Sequence, residues 1–519
     1  MERDEMRKPE NEGIETGGNV SAVSRPDGSE VRGKKLPQYV AGLSASLGAF
    51  SAGLVYGWTS PAGEDGANLI YAFDIDSEDF SWISSIFNVG AATICIPVGI
   101  LTNVMGRRRS MLLMTLPFTV GWACVIWPSS LGLLIFGRFL LGVGGGAFCV
   151  TAPMYTAEIS DTETRGRLGS YFELLLCAGI LVSYALGLLL NNMHVQSLIS
   201  ASVPLMFFGI FFFMPETPTY YLMKNDEKGA RETLVWLRGQ KYNVESEMAE
   251  QRKTLADARV NRVPLLTALR SPAAVKGIFI GYGLMFFQCF SGVDAIIFYA
   301  NTIFRDATGH DSQWSTIVTS SMQVTAVFLF TLVVDKWGRR PLLVVSGTAM
   351  FLSLLVLGVY FYLDSNGSAI VEAFRWLPIV CISAFNIAVS FGFDPIPWMM
   401  IGELFSPQIK GIAGSSACLL NWLMSFLVTK FFSALKKQIG AHGTFWIFSG
   451  ICALSVAFVV LAVPETKGKT LDEIQKELAS SATGENTDKL DPRAPDDEKL
   501  RQKDTAVLGI QELTTRKLR

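Results

Sequence analysis

The 519-residue chain predicts an all-α integral membrane protein: twelve transmembrane helices in two six-helix halves, with a short helical insert between them. Three observations predict this. Half of the residues are apolar and only 17% are charged, against about a quarter charged in soluble chains. The charge is concentrated in two tails and a central insert, leaving apolar blocks of about twenty residues, enough to cross about 30 Å of hydrocarbon. Short motifs at the block ends also recur in the same order in the second half of the chain. With a net charge of −2 there is no global field to attract nucleic acid.

Taken in order, residues 1–39 form a polar, Gly- and Ser-containing arm with no hydrophobic core or cleavage-like site, so it reads as a disordered arm rather than a signal peptide. Residues 40–214 form the first bundle, with blocks at 40–60, 80–102, 110–130, 131–157, 168–190 and 195–214. The charged, helix-favouring stretch 215–276, punctuated by Pro215, Pro218, Pro264 and Pro272, predicts short surface helices. The second bundle spans 277–463, with blocks at 277–301, 314–334, 341–363, 376–402, 411–435 and 438–463. The tail 464–519 is polar and is expected to be disordered after about 479.

An even number of spans puts both ends on one side. Basic residues in the short loops number 9 on that side and 4 on the other, so both termini are expected in the cytoplasm. Lys436 and Lys437 run against this bias.

Asn-Val-Met-Gly-Arg-Arg (103–108) returns as Asp-Lys-Trp-Gly-Arg-Arg (335–340), with the glycines 232 residues apart. Glu158, followed by Arg165-Gly166, returns as Glu403 followed by Lys410-Gly411, and Pro-Glu-Thr (215–217) returns at 464–466. Gly-Arg-Arg alone is an ordinary topological anchor. Three motifs in one order, each at an expected cytoplasmic helix end, indicate duplication, and a six-plus-six repeat suits a carrier whose halves rock about a midplane site.

Residues 38–475 resemble the sugar porters of the major facilitator superfamily. The resemblance rests on Gly-Arg-Phe (137–139), Pro-Met-Tyr (153–155), Pro-Glu-Thr-Pro (215–218), Ser-Gly (291–292) after Gln288, Pro-Ile-Pro-Trp (395–398), Glu-Leu-Phe (403–405), Asn-Trp (421–422) and Pro-Glu-Thr-Lys-Gly (464–468), besides the repeated motifs. Gly-Trp-Thr-Ser-Pro (57–61) is most similar to animal facilitated trehalose and hexose transporters.

This resemblance implies facilitated sugar transport by alternating access at the plasma membrane, with no enzyme activity, no cofactor and a monomer as the working unit. It also implies a cytoplasmic gate of Arg107, Arg108, Glu158, Arg165, Arg339, Arg340, Glu403 and Lys410. Carboxylates facing guanidinium forks can pair bidentately and lock two bundles together. Lys410 stands where the family usually has Arg and lacks the fork.

Gln288, Trp398, Asn421 and Trp422 match sugar-contacting positions of the family. Their amides can donate and accept toward hydroxyls while the rings stack on a pyranose. Pro395 and Pro397 break the tenth helix, as either a gating hinge or a fixed kink.

The departures from the family pattern are Glu173 and Asp294 where Gln and Asn are usual, and Cys289, Gln323, Ser390 and Ser425 at other polar positions. Five charges fall within the apolar blocks: Arg138, Glu173, Asp294, Asp394 and Lys430. Each costs about 3 kcal/mol at a helix centre unless partnered or hydrated. Glu173 and Asp294 admit three readings: acceptors for sugar hydroxyls, proton-coupling groups, or selectors of a cationic solute. The first span lacks the family's usual proton-coupling Asp, which favours facilitated diffusion. A sensor that binds sugar without moving it is a further alternative, disfavoured by short tails with no repeat.

Leu-Gly-Val-Gly-Gly-Gly (141–146) follows no strand and reads as close helix packing rather than a dinucleotide loop. His194, His310 and His442 are scattered, so no metal site is indicated. Asn366-Gly-Ser368 is an outer-loop glycosylation sequon.

Overall fold

A computed structural model of the chain describes residues 33–64, 66, 69–161, 163–190, 192–260, 269–308, 313–333, 337–405, 407–469 and 471–483. The described residues are helical and connecting segments, without strands. Six helices build the first half: Leu36–Gly57, Ser77–Met105, Arg107–Ile126, Leu131–Ile159, Arg165–Leu190 and Met193–Phe211. The second half holds Pro272–Phe290 continued by Val293–Phe298, then Gln313–Val333, Arg339–Ser365, Leu377–Phe391 continued by Pro395–Leu404, and Pro407–Ala462. Eleven stretches are long and apolar enough to cross a bilayer. The last runs for 52 residues, about 78 Å of helix at 1.5 Å per residue, which is too long for one crossing. Gly440 breaks it at φ 77° and ψ 166°, so 407–439 and 441–462 are the eleventh and twelfth spans.

Local chemistry sets the helix ends. Asp76 starts the second span with a reciprocal cap, accepting from the backbone N–H groups of Glu78 and Asp79 at 2.8 and 2.7 Å. Asn192 caps the sixth span, and Ser271 followed by Pro272 opens the seventh. The glycine run of the fourth span is a packing surface: a Cβ on Gly142 would lie 2.0 Å from the Phe87 carbonyl oxygen of the second span.

Two boundaries differ from expectation. The first helix starts at Leu36 rather than 40, because Pro37 fits a first helical turn where no N–H partner is needed. An amphipathic helix, Leu471–Thr483, burying Ile474 and Leu478, runs four residues past 479, where disorder was expected to begin. The arm before 33 and the tail after 483 lie outside the described residues.

The insert forms three helices, Pro218–Met223, Glu227–Arg238 and Val244–Val260, around Leu222, Ala230, Leu234, Val244 and Met248. Buried Arg238 fixes it to the first half. Its guanidinium donates to the Ile159 carbonyl at 2.8 Å and forks onto both oxygens of Glu247 at 3.1 and 2.9 Å.

The halves meet closely on the face opposite the termini. There Asn301 N–H donates to Ser60 Oγ at 3.0 Å, Tyr184 Oη to the Ile297 carbonyl at 2.7 Å, and Lys430 Nζ to Ser81 Oγ at 2.7 Å. At the terminal face, the ion pairs among the described residues each lie within one half or within the insert. Arg165 is exposed there, as is the Trp398 ring deeper in the second half. The described cross-half contacts of Ser60, Ser81 and Tyr184 thus gather toward the face opposite the termini.

Candidate functional site

Two clusters gather the residues singled out by sequence. The first is a pair of matching clamps at the terminal face. In the first half, Arg107 Nε and Nη2 converge on one oxygen of Glu158 at 3.1 and 2.8 Å. Arg108 donates to the Phe212 carbonyl at the end of the sixth span. In the second half, Arg339 Nη2 lies 3.0 Å from Glu403 Oε1, and Arg340 donates to the Val460 carbonyl at the end of the twelfth span, 2.5 Å away.

The sequence did not reveal the third member of each clamp. Glu216 of Pro-Glu-Thr accepts from the backbone N–H groups of Arg107 and Arg108 at 2.9 and 3.0 Å, and Glu465 does the same for Arg339 and Arg340 at 3.0 and 3.1 Å. An anion at the exposed N–H groups and positive dipole end of a helix is favourable. The repeated Gly makes room for it: a Cβ on Gly106 or Gly338 would stand 2.3 or 2.4 Å from the carboxylate oxygen. Recurrence of Pro-Glu-Thr in the same order as Gly-Arg-Arg was the available signal.

The resemblance implies that the gate residues close the inside when the site faces out and separate when it opens inward. In this conformation both guanidinium–carboxylate pairs lie within their own half. Arg165 is exposed and makes no ion pair among the described residues. The side chain of Lys410 and the whole of Asp335 and Lys336 lie outside the described residues.

The second cluster is central and lies at the helix breaks. The seventh span turns at Gly292, in the left-handed region at φ 88°, where a Cβ would stand 2.6 Å from the Phe448 ring. The tenth span breaks at Gly392, Phe393 and Asp394, ahead of Pro395 and Pro397. Ser346 of the ninth span stitches the gap, donating to the Ala388 carbonyl at 2.6 Å and accepting from Phe393 N–H at 3.3 Å. Freed backbone groups are thus satisfied by protein, as the bilayer interior requires.

Between these breaks, Gln288 Nε2 donates to both the carbonyl and Oδ1 of Asp394 at 3.2 Å. Asn421 Nδ2 donates to Gln288 Oε1 at 3.1 Å. Glu173 accepts from the Cys177 thiol, its carboxyl group approaches that of Asp394 from the other half, and Asp294 lies beside Ser425.

Trp398 is 39% exposed. Trp422 is buried instead, its ring 6.1 Å from both Tyr56 and Phe87 of the first half. Gln323 lines a separate water-sized crevice with Tyr184, Ser320 and Asn386. Asp394 is the member of this cluster that sequence reasoning left out of the site. Asp394 could have been found as the acidic residue next to Pro-Ile-Pro.

Residues 35–478 match the family model described as "Sugar (and other) transporter". The chain belongs to that sugar transporter family. It is 36% identical over 445 residues to the "Facilitated trehalose transporter Tret1-2 homolog" of Drosophila simulans, covering 85% of this chain and 91% of that protein. It is 37% identical over 445 residues to the "Facilitated trehalose transporter Tret1" of Drosophila grimshawi, covering 85% of this chain and 48% of that one. The chain spans about half the length of several of the curated relatives it matches. Among solved structures, the inward open conformation of the xylose transporter XylE from E. coli aligns with a TM-score of 0.69 at 21% identity, covering 85% of this chain and 98% of that one. The proton:xylose symporter XylE bound to 6-bromo-6-deoxy-D-glucose aligns at 0.68 and 22%. This sugar transporter family member thus shares the major facilitator fold, and its family is one of transporters rather than enzymes.

Proposed function

We propose that the chain is a facilitative carrier for a neutral mono- or disaccharide, working by alternating access as a monomer in the plasma membrane with both termini in the cytoplasm. The observation that carries this reading is the central, hydrogen-bonded cluster of Gln288 and Asn421 at two helix breaks, with Trp398 part-exposed beyond Pro395 and Pro397. Amides supply both donors and acceptors, which a polyhydroxylated neutral solute needs. The likeness to facilitated trehalose transporters makes trehalose the first substrate to try. The excess of basic residues in the loops on the terminal side supports the orientation. Exposed Asn366, on the other side, is the residue for glycosylation.

Arg138 supports uncoupled transport. It is fully buried, donates to the carbonyls of Ile83 and Val55 at 3.0 Å each, and faces the Trp58 and Phe87 rings. Its held partners are carbonyls and rings, which do not titrate. Proton coupling is the second reading, favoured by the Glu173–Asp394 contact between the halves.

Purified protein in liposomes should equilibrate labelled trehalose or glucose down its gradient. An imposed pH gradient should not drive accumulation. Binding without flux would remove the carrier reading, and accumulation would establish symport.

A further inference from the structure

On the face opposite the termini, the eleventh span carries Lys430, Lys436 and Lys437, and each reaches the first half. Lys430 Nζ donates to Ser81 Oγ at 2.7 Å and lies 4.1 Å from the centre of the Trp82 ring. Lys437 donates to Ser77 Oγ. Lys436 Nζ lies 2.5 Å from Glu64 Oε2 of the first half and 3.0 Å from Asp306 Oδ2 of its own half. The Lys436 and Glu64 side chains are only 17% and 10% exposed.

Topological anchoring does not account for these lysines, since they stand at the membrane side where basic residues are disfavoured. Their contacts do. The lysine–hydroxyl contacts are ordinary charge-assisted hydrogen bonds, open to exchange with water. The Lys436 triad differs because it is largely buried and brings together two carboxylates from opposite halves on one ammonium. Removing the ammonium leaves like charges facing each other across the interface, and an uncompensated buried charge is the costly outcome of breaking such a pair.

We propose that Lys436, held between Glu64 and Asp306, is an ionic latch that keeps the face opposite the termini shut and so sets the balance between the two facing states of the carrier. The proposal rests on the alternating-access reading above. It assigns the cross-half bond to Glu64 and only an orienting role to Asp306, which belongs to the same half as Lys436.

The test reads conformation without sugar. Ser81 and Asn88 of the second span both touch the second half, through Lys430 and Thr429. Ser84, three and four residues from them, shares that helix face and is fully buried. In a chain with its eight native cysteines replaced, Ser84→Cys is labelled with a membrane-impermeant maleimide added from the side opposite the termini. Glu64→Gln and Lys436→Met should raise the labelling rate about tenfold, within the usual range for a coupling between two states. Asp306→Asn and Lys436→Arg should label like the parent; the latter separates loss of charge from loss of folding.

Equal labelling in the parent, Glu64→Gln and Lys436→Met would overturn the latch. So would an Asp306→Asn effect as large as that of Glu64→Gln. If labelling changes as expected while no sugar crosses in any variant, the latch stands and the carrier reading fails.

Discussion

Glu216 offers the sharpest test of the clamp. It is 6% exposed, and its carboxylate accepts from the backbone N–H groups of Arg107 at 2.9 Å, Arg108 at 3.0 and 3.1 Å, and Thr217 at 3.0 Å. Glu216→Ala strands two donors at the start of the third span and a third, Thr217 N–H, beside it. A hydrogen bond to a charged group contributes about 1.5–3 kcal/mol, and loss of a helix cap costs about 1 kcal/mol. Because the three bonds share one carboxylate, the expected loss is about 3 kcal/mol rather than their sum. Glu216→Gln keeps one acceptor oxygen and should cost about 1 kcal/mol.

The six buried cysteines allow unfolding to be followed in detergent with a thiol-reactive dye. The melting order should be Ala lowest, then Gln, then the parent. Gly106 provides the cross-check. Ala at 106 clashes with Glu216 Oε2 as well as straining φ at 99°, so Gly106→Ala should cost less in the Glu216→Ala background than alone. Equal melting of Glu216→Ala and the parent would refute the reasoning, as would an equal cost of Gly106→Ala in both backgrounds.

Neutralising Glu158 or Glu403 should cut transport at normal surface expression, and unchanged flux in both Gln variants would reject the gate. Glu158→Gln should also destabilise more than Glu403→Gln, measured by the same dye assay, because the Arg107 side chain is 5% exposed against 13% for Arg339. Glu173→Gln and Asp394→Asn should leave sugar flux largely independent of pH; loss of gradient-driven accumulation with exchange preserved would instead mark the pair as proton-coupling. Burial raises the Asp161 carboxyl, but hydrogen bonds from Thr164 and Gln38 outweigh it and hold it below the usual range. Its stabilising effect is therefore present above about pH 4 and lost as pH falls through the folded value. Hydrogen exchange at Thr164 should accelerate in that acid window, and Asp161→Asn should abolish the pH dependence.

The spans were legible because a bilayer imposes a length and an apolar composition that composition alone reports. The duplication was legible because Gly-Arg-Arg, Glu and Pro-Glu-Thr keep their order. The role of Glu216 and Glu465 was not, since carboxylates 109 and 126 residues from the helices they cap leave no local pattern. Asp394 escaped for a similar reason: a helix break next to Pro395 reads as a place for hydration, whereas the fold turns that break toward Gln288 and Glu173. Lys436 ran against the charge bias for a reason only the folded chain supplies, its partner Glu64 in the other half. Which guanidinium meets which carboxylate also depends on the facing state, which a sequence does not encode.

The central claim is carrier-mediated movement of a neutral sugar without an ion gradient, and counterflow tests it most directly. Liposomes loaded with unlabelled trehalose, at equal pH and salt on both sides, are diluted into trace labelled trehalose, with glucose-loaded liposomes run in parallel. The account predicts a transient overshoot of label inside for at least one of the two sugars, reduced by Glu158→Gln. Label that never exceeds the level in protein-free liposomes, for either sugar, would contradict it.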